Sequence, residues 1–241
     1  MFVHYRTRAF ILTKEDRGEA DQLFTVFSED FGRLEVLGRA IRKISSKLRS
    51  AADIFYLSEI EFIQGKAQKT LTDAILLNDF TNLKTDLKRL SAASLIADAF
   101  DSLVVGQEHD RKIWRLLSVV FEKLNDLKLK IYDFKLVYFY FLWNLILILG
   151  YAPDLQECYF CQQKLRPGKI SFVPSEGLVC QNCSKSVKSV KETDLETIKI
   201  LRIILKKDWS MLSRLKMDKS NLDSLARISR SWYLFILNFF E

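Results

Sequence analysis

Residues 9–39 of the chain, AFILTKEDRGEADQLFTVFSEDFGRLEVLGR, predict β-structure near the N-terminus. Gly18 and Gly32 divide this segment, and glycine favours tight turns. The stretches beside them are rich in Phe, Val, Ile and Thr, the residue types that favour strands. These stretches are Ala9–Thr13, Gln22–Ser28 and Leu34–Arg39. The segment therefore predicts three consecutive short strands.

Two further stretches of the same kind follow, Ile54–Ile63 and Lys69–Leu76, with Gly65 between them. Five short strands within about 80 residues suggest a small closed barrel, because closure removes the unpaired edges of a sheet. The oligonucleotide/oligosaccharide-binding (OB) fold is the commonest five-stranded version. Residues 1–80 are therefore predicted to form an OB-type domain that binds nucleic acid.

The pattern changes after Asp79, where apolar residues recur at helical spacing. One stretch is apolar nearly all round and predicts a buried central helix, while Thr193 and Glu196 predict a capping box at the start of another. The predicted helices are Asn82–Val105, Asp110–Leu129, Asp133–Gly150, Thr193–Lys207 and Lys219–Phe239. The fold class is therefore α+β, with a helical domain over residues 81–241.

Four cysteines form the strongest local motif, Cys158-Tyr-Phe-Cys161 and, after 18 residues, Cys180-Gln-Asn-Cys183. Two CxxC turns at this spacing are typical of zinc sites, because each turn directs two sulfurs to one edge of a tetrahedron. Four protein ligands leave no open position, so one structural Zn²⁺ is predicted in a knuckle at about residues 154–187. The alternatives are a redox dithiol pair, two disulfides or four free thiols.

Positive charge is concentrated in one part of the barrel domain. The chain has a formal net charge of +7, which favours a polyanionic partner such as nucleic acid or an anionic membrane surface. Residues 33–49 contain six basic side chains against the single acid Glu35: Arg33, Arg39, Arg42, Lys43, Lys47 and Arg49. These six are predicted to contact DNA phosphates. The alternative is a solvated basic surface that keeps the protein soluble.

The sequence contains no recognisable catalytic or membrane-spanning motif. His4 and His109 have the character of surface residues, and phosphate-binding loops, dinucleotide fingerprints and nucleophile elbows are absent. The N-terminus lacks the apolar region of a signal peptide, and the run from Val137 to Leu149 is too short to span a bilayer. The expectation is a cytoplasmic protein that is not an enzyme and does not bind membranes.

Several short pieces together resemble the RecO family of bacterial DNA repair proteins. They are the turn Arg17-Gly18-Glu19-Ala20-Asp21, the turn Phe31-Gly32-Arg33, the basic stretch Arg39-Ala-Ile-Arg42-Lys43 with Ser46-Lys47-Leu48-Arg49, and Leu149-Gly150-Tyr151-Ala152-Pro153 with Leu155. The order of barrel, helices, knuckle and final helices is also similar. The resemblance covers nearly the whole chain.

The resemblance implies a mediator of homologous recombination. RecO-like proteins bind single- and double-stranded DNA through the OB domain, anneal complementary strands and work with RecR. They also engage the acidic C-terminal tail of single-strand-binding protein (SSB) and so help RecA load on coated strands at the nucleoid. In this chain, a rim for such a tail is predicted at Arg202, Lys206 and Lys207, which lie on one apolar helix in the basic C-terminal third.

Two other functions are consistent with the same motifs. A zinc-ribbon and OB accessory factor that binds RNA or polymerase in transcription or translation would share the barrel, the charge and the cysteines. An enzyme such as a nuclease, with a site that motif searches miss, is the third. Annealing of complementary strands distinguishes the mediator from the accessory factor, and incubation of labelled DNA with a divalent metal would reveal a nuclease.

Overall fold

The computed structural model describes residues 3–128, 133–165, 170–187 and 191–239. The chain divides into two compact units, Met1–Tyr138 and Phe139–Glu241. None of the helices in the described ranges combines the length and apolarity that a membrane crossing needs.

The first unit begins with the predicted five-stranded barrel. Its strands are β1 (His4–Arg17), β2 (Asp21–Ser28), β3 (Gly32–Gly38), β4 (Leu57–Gln64) and β5 (Lys69–Asn78). They close in the order β1-β2-β3-β5-β4. Neighbouring strands are antiparallel except β3 and β5. These two run parallel, with Val36 opposite Lys69 and Leu37 opposite Thr70. The predicted OB-type barrel is confirmed.

Alternation of side chains along the strands builds the barrel core. In β3, for example, Leu34 and Val36 are buried while Glu35 between them is exposed. A strand sends successive side chains to opposite faces, so every second apolar residue meets the interior. The core contains Ala9, Ile11, Phe24, Val26, Leu34, Val36, Ile41, Ala52, Ile60, Phe62 and Leu71.

Three helices follow the barrel within the first unit: α1 (Thr81–Thr85), α2 (Leu87–Leu103) and α3 (Arg111–Asn125). The prediction of one continuous helix over Asn82–Val105 was wrong. Asp86 adopts an extended conformation, with φ −121° and ψ 120°, and its side chain accepts hydrogen bonds from the N–H groups of Lys88 and Arg89. A capping aspartate in this geometry ends one helix and starts the next.

The helix α4 (Asp133–Ile148) is the predicted central helix, and most of its described side chains are buried. The boundary between the two units falls within it. Its single amide, Asn144, is fully buried and donates to the main-chain oxygens of Tyr140 and Ile204 at 2.8 and 3.1 Å. A polar side chain in an apolar run therefore links two helices of the second unit.

The rest of the second unit combines a small sheet with helices. The elements are β6 (Ile170–Val173), β7 (Gly177–Cys180), α5 (Gln181–Ser184), β8 (Lys191–Thr193), α6 (Leu195–Leu205), α7 (Trp209–Leu212) and α8 (Lys219–Leu237). The predicted capping box of Thr193 and Glu196 was wrong, because Thr193 ends a strand and Asp194 caps α6 by accepting from the N–H of Thr197 at 2.6 Å.

Candidate metal centre and nucleic-acid interface

The two CxxC turns are brought together by the β6–β7 hairpin. Cys180 ends β7 and Cys183 lies in the short helix α5 that follows. The first turn is attached to this hairpin by a hydrogen bond from the N–H of Tyr159 to the oxygen of Leu178, 2.9 Å. Within that turn, the N–H of Gln162 donates to the oxygen of Cys158 at 2.8 Å.

The four sulfurs form one compact group. All lie within 4.8 Å of one another, and the sulfurs of Cys161 and Cys180 are 3.9 Å apart. A tetrahedral zinc ion with bonds of about 2.3 Å holds its sulfurs roughly 3.8 Å apart. A disulfide requires about 2.05 Å. The geometry therefore fits a metal held by four sulfurs, and the cluster of cysteines that the sequence predicts is present.

The electrostatics of the thiols also favour a cation. Burial alone would raise the pKa of Cys158, but N–H groups of Cys161, Cys180 and Phe160 donate to its sulfur and lower the pKa to about 6. Hydrogen bonding to Cys180 and burial together raise the pKa of Cys183 to about 12. One thiolate suppresses ionisation of its neighbours, so a divalent cation is what would allow all four to ionise.

The knuckle has a small apolar cluster around its cysteines, while its Phe172 packs on Trp232 of α8. Its buried cluster consists of Cys158, Val173 and Val179, with four partly buried neighbours: Leu165, Cys180, Cys183 and Val187. Three of these seven residues are cysteines, so the sulfurs occupy the centre that larger apolar side chains fill in a self-sufficient domain. A bound metal would supply the stability that so small a core lacks.

The predicted basic cluster lies mainly on the connection between β3 and β4. Arg39, Arg42, Lys43, Lys47 and Arg49 are all exposed. Three contacts fix this connection to the barrel: Ile41 is buried in the core, the N–H of Arg42 donates to the oxygen of Ala20, and the N–H of Ala40 donates to Asp21. We call residues 39–50 the basic loop.

The cations of the cluster differ in their surroundings. Arg33 lies on β3 and pairs with Asp101 of α2 at 2.6 Å, and its side chain is 23% exposed. Arg42 pairs with Asp16 at 3.2 Å. For the other four, no ion pair with a described carboxylate is present. Arg33 is therefore engaged within the protein, whereas the basic loop presents four cations that have no ion-pair partner among the described residues.

A groove of about 480 Å³ lies beside the basic loop. It is lined by residues of β2 and β3 and of the β1–β2 and β4–β5 turns, namely Arg17, Gly18, Asp21, Leu23, Leu37 and Gln68. In OB folds, ligands cross strands 2 and 3 between these same two turns. Asp21 both lines the groove and accepts from Ala40 of the basic loop, so groove and loop are contiguous.

The aromatic residues of the barrel are divided between core and surface. Phe24 and Phe27 are fully buried and therefore belong to the core. Phe31 is half-buried and meets Tyr5 edge to face at 5.6 Å. These two rings lie in a second cavity of about 450 Å³, together with Lys69 and other polar residues. Sequence reasoning missed Tyr5 and Lys69, because strand pairing rather than any local motif brings them there.

The three residues predicted as a partner-binding rim lie on and after α6. Arg202 donates from Nε and Nη2 to the oxygen of Leu155, at 2.9 and 2.5 Å, while Lys206 and Lys207 are exposed. An apolar groove of about 290 Å³ lies along the same helix. It is lined by Glu196, Lys199, Ile200, Arg202, Ile203, Met211, Leu215, Lys216, Met217 and Asn221. Of the predicted three, this groove includes Arg202.

Comparison with known proteins finds family matches over nearly the whole chain. Residues 1–80 match the family described as Recombination protein O N terminal, and residues 84–238 match Recombination protein O C terminal. The chain belongs to the RecO family. The resemblance stated from the sequence is thereby confirmed, and the chain is a DNA repair protein of that family.

RecO relatives align with nearly the whole chain. The DNA repair protein RecO of Dehalococcoides mccartyi strain 195 is 28% identical over 234 residues, covering 97% of this chain and 90% of the relative. That of Desulforamulus reducens is 27% identical over 238 residues, with 95% and 90% covered. That of Syntrophomonas wolfei is 29% identical over 215 residues, with 89% and 84% covered.

Proposed function

We propose that this RecO-family protein is a non-catalytic mediator of homologous recombination that acts in the cytoplasm at the nucleoid. It binds single- and double-stranded DNA, anneals complementary strands and, with RecR, helps RecA load on SSB-coated DNA. The observation that carries the proposal is the exposed, largely unpaired charge of the basic loop beside the groove across β2 and β3. The RecO relatives are DNA repair proteins, which supports DNA as the ligand of that surface.

The proposed mechanism depends on the placement of positive charge and includes no step that makes or breaks a covalent bond. The basic loop would neutralise phosphates of a strand in the groove and release their counterions, so affinity falls steeply with salt. Positive charge placed between two phosphate backbones also reduces their mutual repulsion, which allows complementary strands to approach and pair. Arg39, Lys43, Lys47 and Arg49 are the strongest candidates for these contacts. Arg33 contributes by holding β3 against α2 through Asp101.

The knuckle would hold one structural zinc through Cys158, Cys161, Cys180 and Cys183. The separation of the sulfurs and the N–H donors around Cys158 support this assignment. With four sulfurs as ligands the ion has no open position for substrate, so it orders the knuckle and takes no part in a reaction.

The groove along α6 is the proposed place for the acidic tail of SSB. Its wall is apolar and carries Arg202 and Lys216, together with Lys199, which pairs with Glu196 at 2.7 Å. An apolar wall bordered by cations suits a peptide with acidic residues and an apolar end. Lys206 and Lys207 follow directly after this helix and would extend the positive rim. Charge reversal at these positions, with SSB-coated DNA as ligand, tests the assignment.

Annealing of two complementary oligonucleotides, one coated with SSB, tests the main proposal at two salt concentrations. Rapid, ATP-independent and salt-sensitive annealing that persists on the coated strand would support a recombination mediator. Absence of annealing together with binding to RNA would instead support an accessory factor in transcription or translation. Cleavage of the labelled strand in the presence of a divalent metal would support a nuclease.

A further inference from the structure

Two aromatic side chains are exposed at the tip of the cysteine knuckle. Tyr159 and Phe160 lie between Cys158 and Cys161, and they are 57% and 46% exposed. Their rings meet edge to face, with centroids 5.4 Å apart and planes at 89°. The hydrogen bond from the N–H of Tyr159 to Leu178 fixes the backbone beneath them. The pair is therefore held in place by a structured turn yet remains open to solvent.

The sequence around the two CxxC turns is basic and rich in amides. The segments 158–169 (CYFCQQKLRPGK) and 180–191 (CQNCSKSVKSVK) each contain three Lys or Arg and no Asp or Glu. Lys164 and Lys185 are exposed in the structure. So are four amide side chains: Gln162, Gln163, Gln181 and Asn182. The knuckle thus presents aromatic rings, cations and neutral hydrogen-bonding groups together.

This combination favours single-stranded nucleic acid over a protein partner. Protein interfaces are enriched in aromatic residues but depleted in lysine. Surfaces that bind single strands combine aromatic rings for base stacking with cations for the backbone. Both segments lack acidic residues, which is complementary to a polyanion, and the nearest acids in sequence, Glu157 and Glu192, lie just outside them, Glu157 in a backbone bridge with Lys164. A duplex keeps its bases stacked, so it offers the rings no free base face.

We propose that the knuckle is a second contact for single-stranded DNA, in which unstacked bases pack on Tyr159 and Phe160 while phosphates meet Lys164 and Lys185. The inference rests on the proposed DNA-binding function and adds selectivity to it. The basic loop neutralises phosphates of either form of DNA. The knuckle distinguishes a single strand from a duplex.

The test compares the double substitution Tyr159→Ala and Phe160→Ala with the unaltered full-length protein. Fluorescence anisotropy measures affinity for one oligonucleotide, single-stranded and as a duplex, over a series of salt concentrations. Loss of base stacking should weaken single-strand binding about 5- to 150-fold and leave duplex binding and the salt slope unchanged. Phe239→Ala is the matched control, since Phe239 is an aromatic residue of the same unit that is 65% exposed.

Photocrosslinking of the unaltered protein to an oligonucleotide containing 5-iodouracil provides a test that needs no substitution. Mass spectrometry should find crosslinks at Tyr159 or Phe160. Unchanged single-strand affinity of the double variant, or crosslinks confined to other residues, would overturn the inference while DNA binding by the protein stands. Failure of the unaltered protein to bind either form of DNA would instead refute the proposed function.

Discussion

Arg202 donates two hydrogen bonds to the main-chain oxygen of Leu155, from Nε at 2.9 Å and Nη2 at 2.5 Å. The contact joins α6 to the segment that leads into Cys158, across 47 positions of sequence. A guanidinium suits this role because its five N–H donors lie in one rigid plane, and those on Nε and Nη2 point to the same side. The cation that borders the apolar groove therefore also positions the start of the knuckle.

Arg202→Ala is expected to destabilise the protein by about 1.5–3 kcal/mol, the usual range for hydrogen bonds that involve a charged group. Lys206→Ala, at the exposed position that directly follows the same helix, should change stability by less than about 0.5 kcal/mol. Urea denaturation of the two variants measures the difference. Equal stabilities would contradict a structural role for Arg202. Weaker binding of an SSB-tail peptide by Lys206→Ala, without loss of stability, would support the proposed rim.

The basic loop should control the salt dependence of DNA binding. Lys43→Ala with Lys47→Ala removes two exposed cations that lack an ion-pair partner among the described residues. If both contact phosphates, the slope of log affinity against log salt should decrease by about 1.8 for duplex and about 1.4 for single strands. Titrations at four salt concentrations measure both slopes.

A matched control for that prediction is Lys88→Ala with Lys112→Ala, which makes the same change in net charge at exposed positions of α2 and α3. Its slopes should equal those of the unaltered protein. If the two double variants behaved alike, net charge would explain the binding, and the basic loop would not be the DNA contact.

The barrel and the cysteine cluster were predictable because their signals are local. Alternation within β2 and β3 and the spacing from Cys158 to Cys183 each lie within a short window. The pairing of Arg33 with Asp101 could not be predicted from the sequence, since the partner lies 68 residues away on a helix. A cluster of cations in sequence therefore identifies where the positive charge lies, but not which of its members the fold itself engages.

The helix boundaries failed for a different reason. Apolar spacing continues across Asp86, yet an aspartate there gains more from capping two N–H groups than from continuing the helix. At the start of α6, both Thr193 and Asp194 are residue types that cap helices, and strand pairing of Thr193 with Ile170 decides between them. Periodicity identifies the elements, while tertiary contacts select their ends.

Metal removal should unfold the knuckle and leave the barrel intact. Cys161→Ser removes one of four sulfurs, and the described apolar cluster around the cysteines is small. We expect loss of bound zinc, faster proteolysis within residues 154–187, and unchanged binding of duplex DNA by the barrel. Elemental analysis measures the zinc content, limited proteolysis the cleavage of the knuckle, and fluorescence anisotropy the binding of duplex DNA. Protein that is purified without zinc and resists proteolysis in the knuckle would contradict the assignment.

Zinc binding to the metal-free protein should also release protons. The pKa of Cys161 is raised above its ordinary value and that of Cys183 to about 12, so both are protonated at pH 7, and each must ionise to bind the ion. At least two protons per zinc are therefore expected, and affinity should decrease as the pH falls. Titration with zinc in a weakly buffered indicator solution measures the release. Binding without proton release would exclude coordination by these thiols.

Gly18 and Gly32 lie in two turns of the barrel and have similar backbone conformations but different amounts of space around them. Gly18 and Gly32 both have positive φ, +59° and +67°. A Cβ at Gly18 would meet no atom within 4 Å, whereas a Cβ at Gly32 would lie 2.8 Å from the oxygen of Gln107 and closer still to that of Glu108. The segment after α2 thus packs directly on the β2–β3 turn, where only glycine leaves room for it.

Alanine at either glycine should cost about 1–2 kcal/mol for the left-handed conformation. Gly32→Ala must in addition displace the backbone of Gln107 and Glu108, so its total loss should exceed that of Gly18→Ala by about 1–3 kcal/mol. Urea denaturation of both variants measures the difference, and hydrogen exchange should locate the extra opening in residues 105–110. Equal losses would mean that this segment moves away without cost and that its contact with Gly32 does not stabilise the barrel.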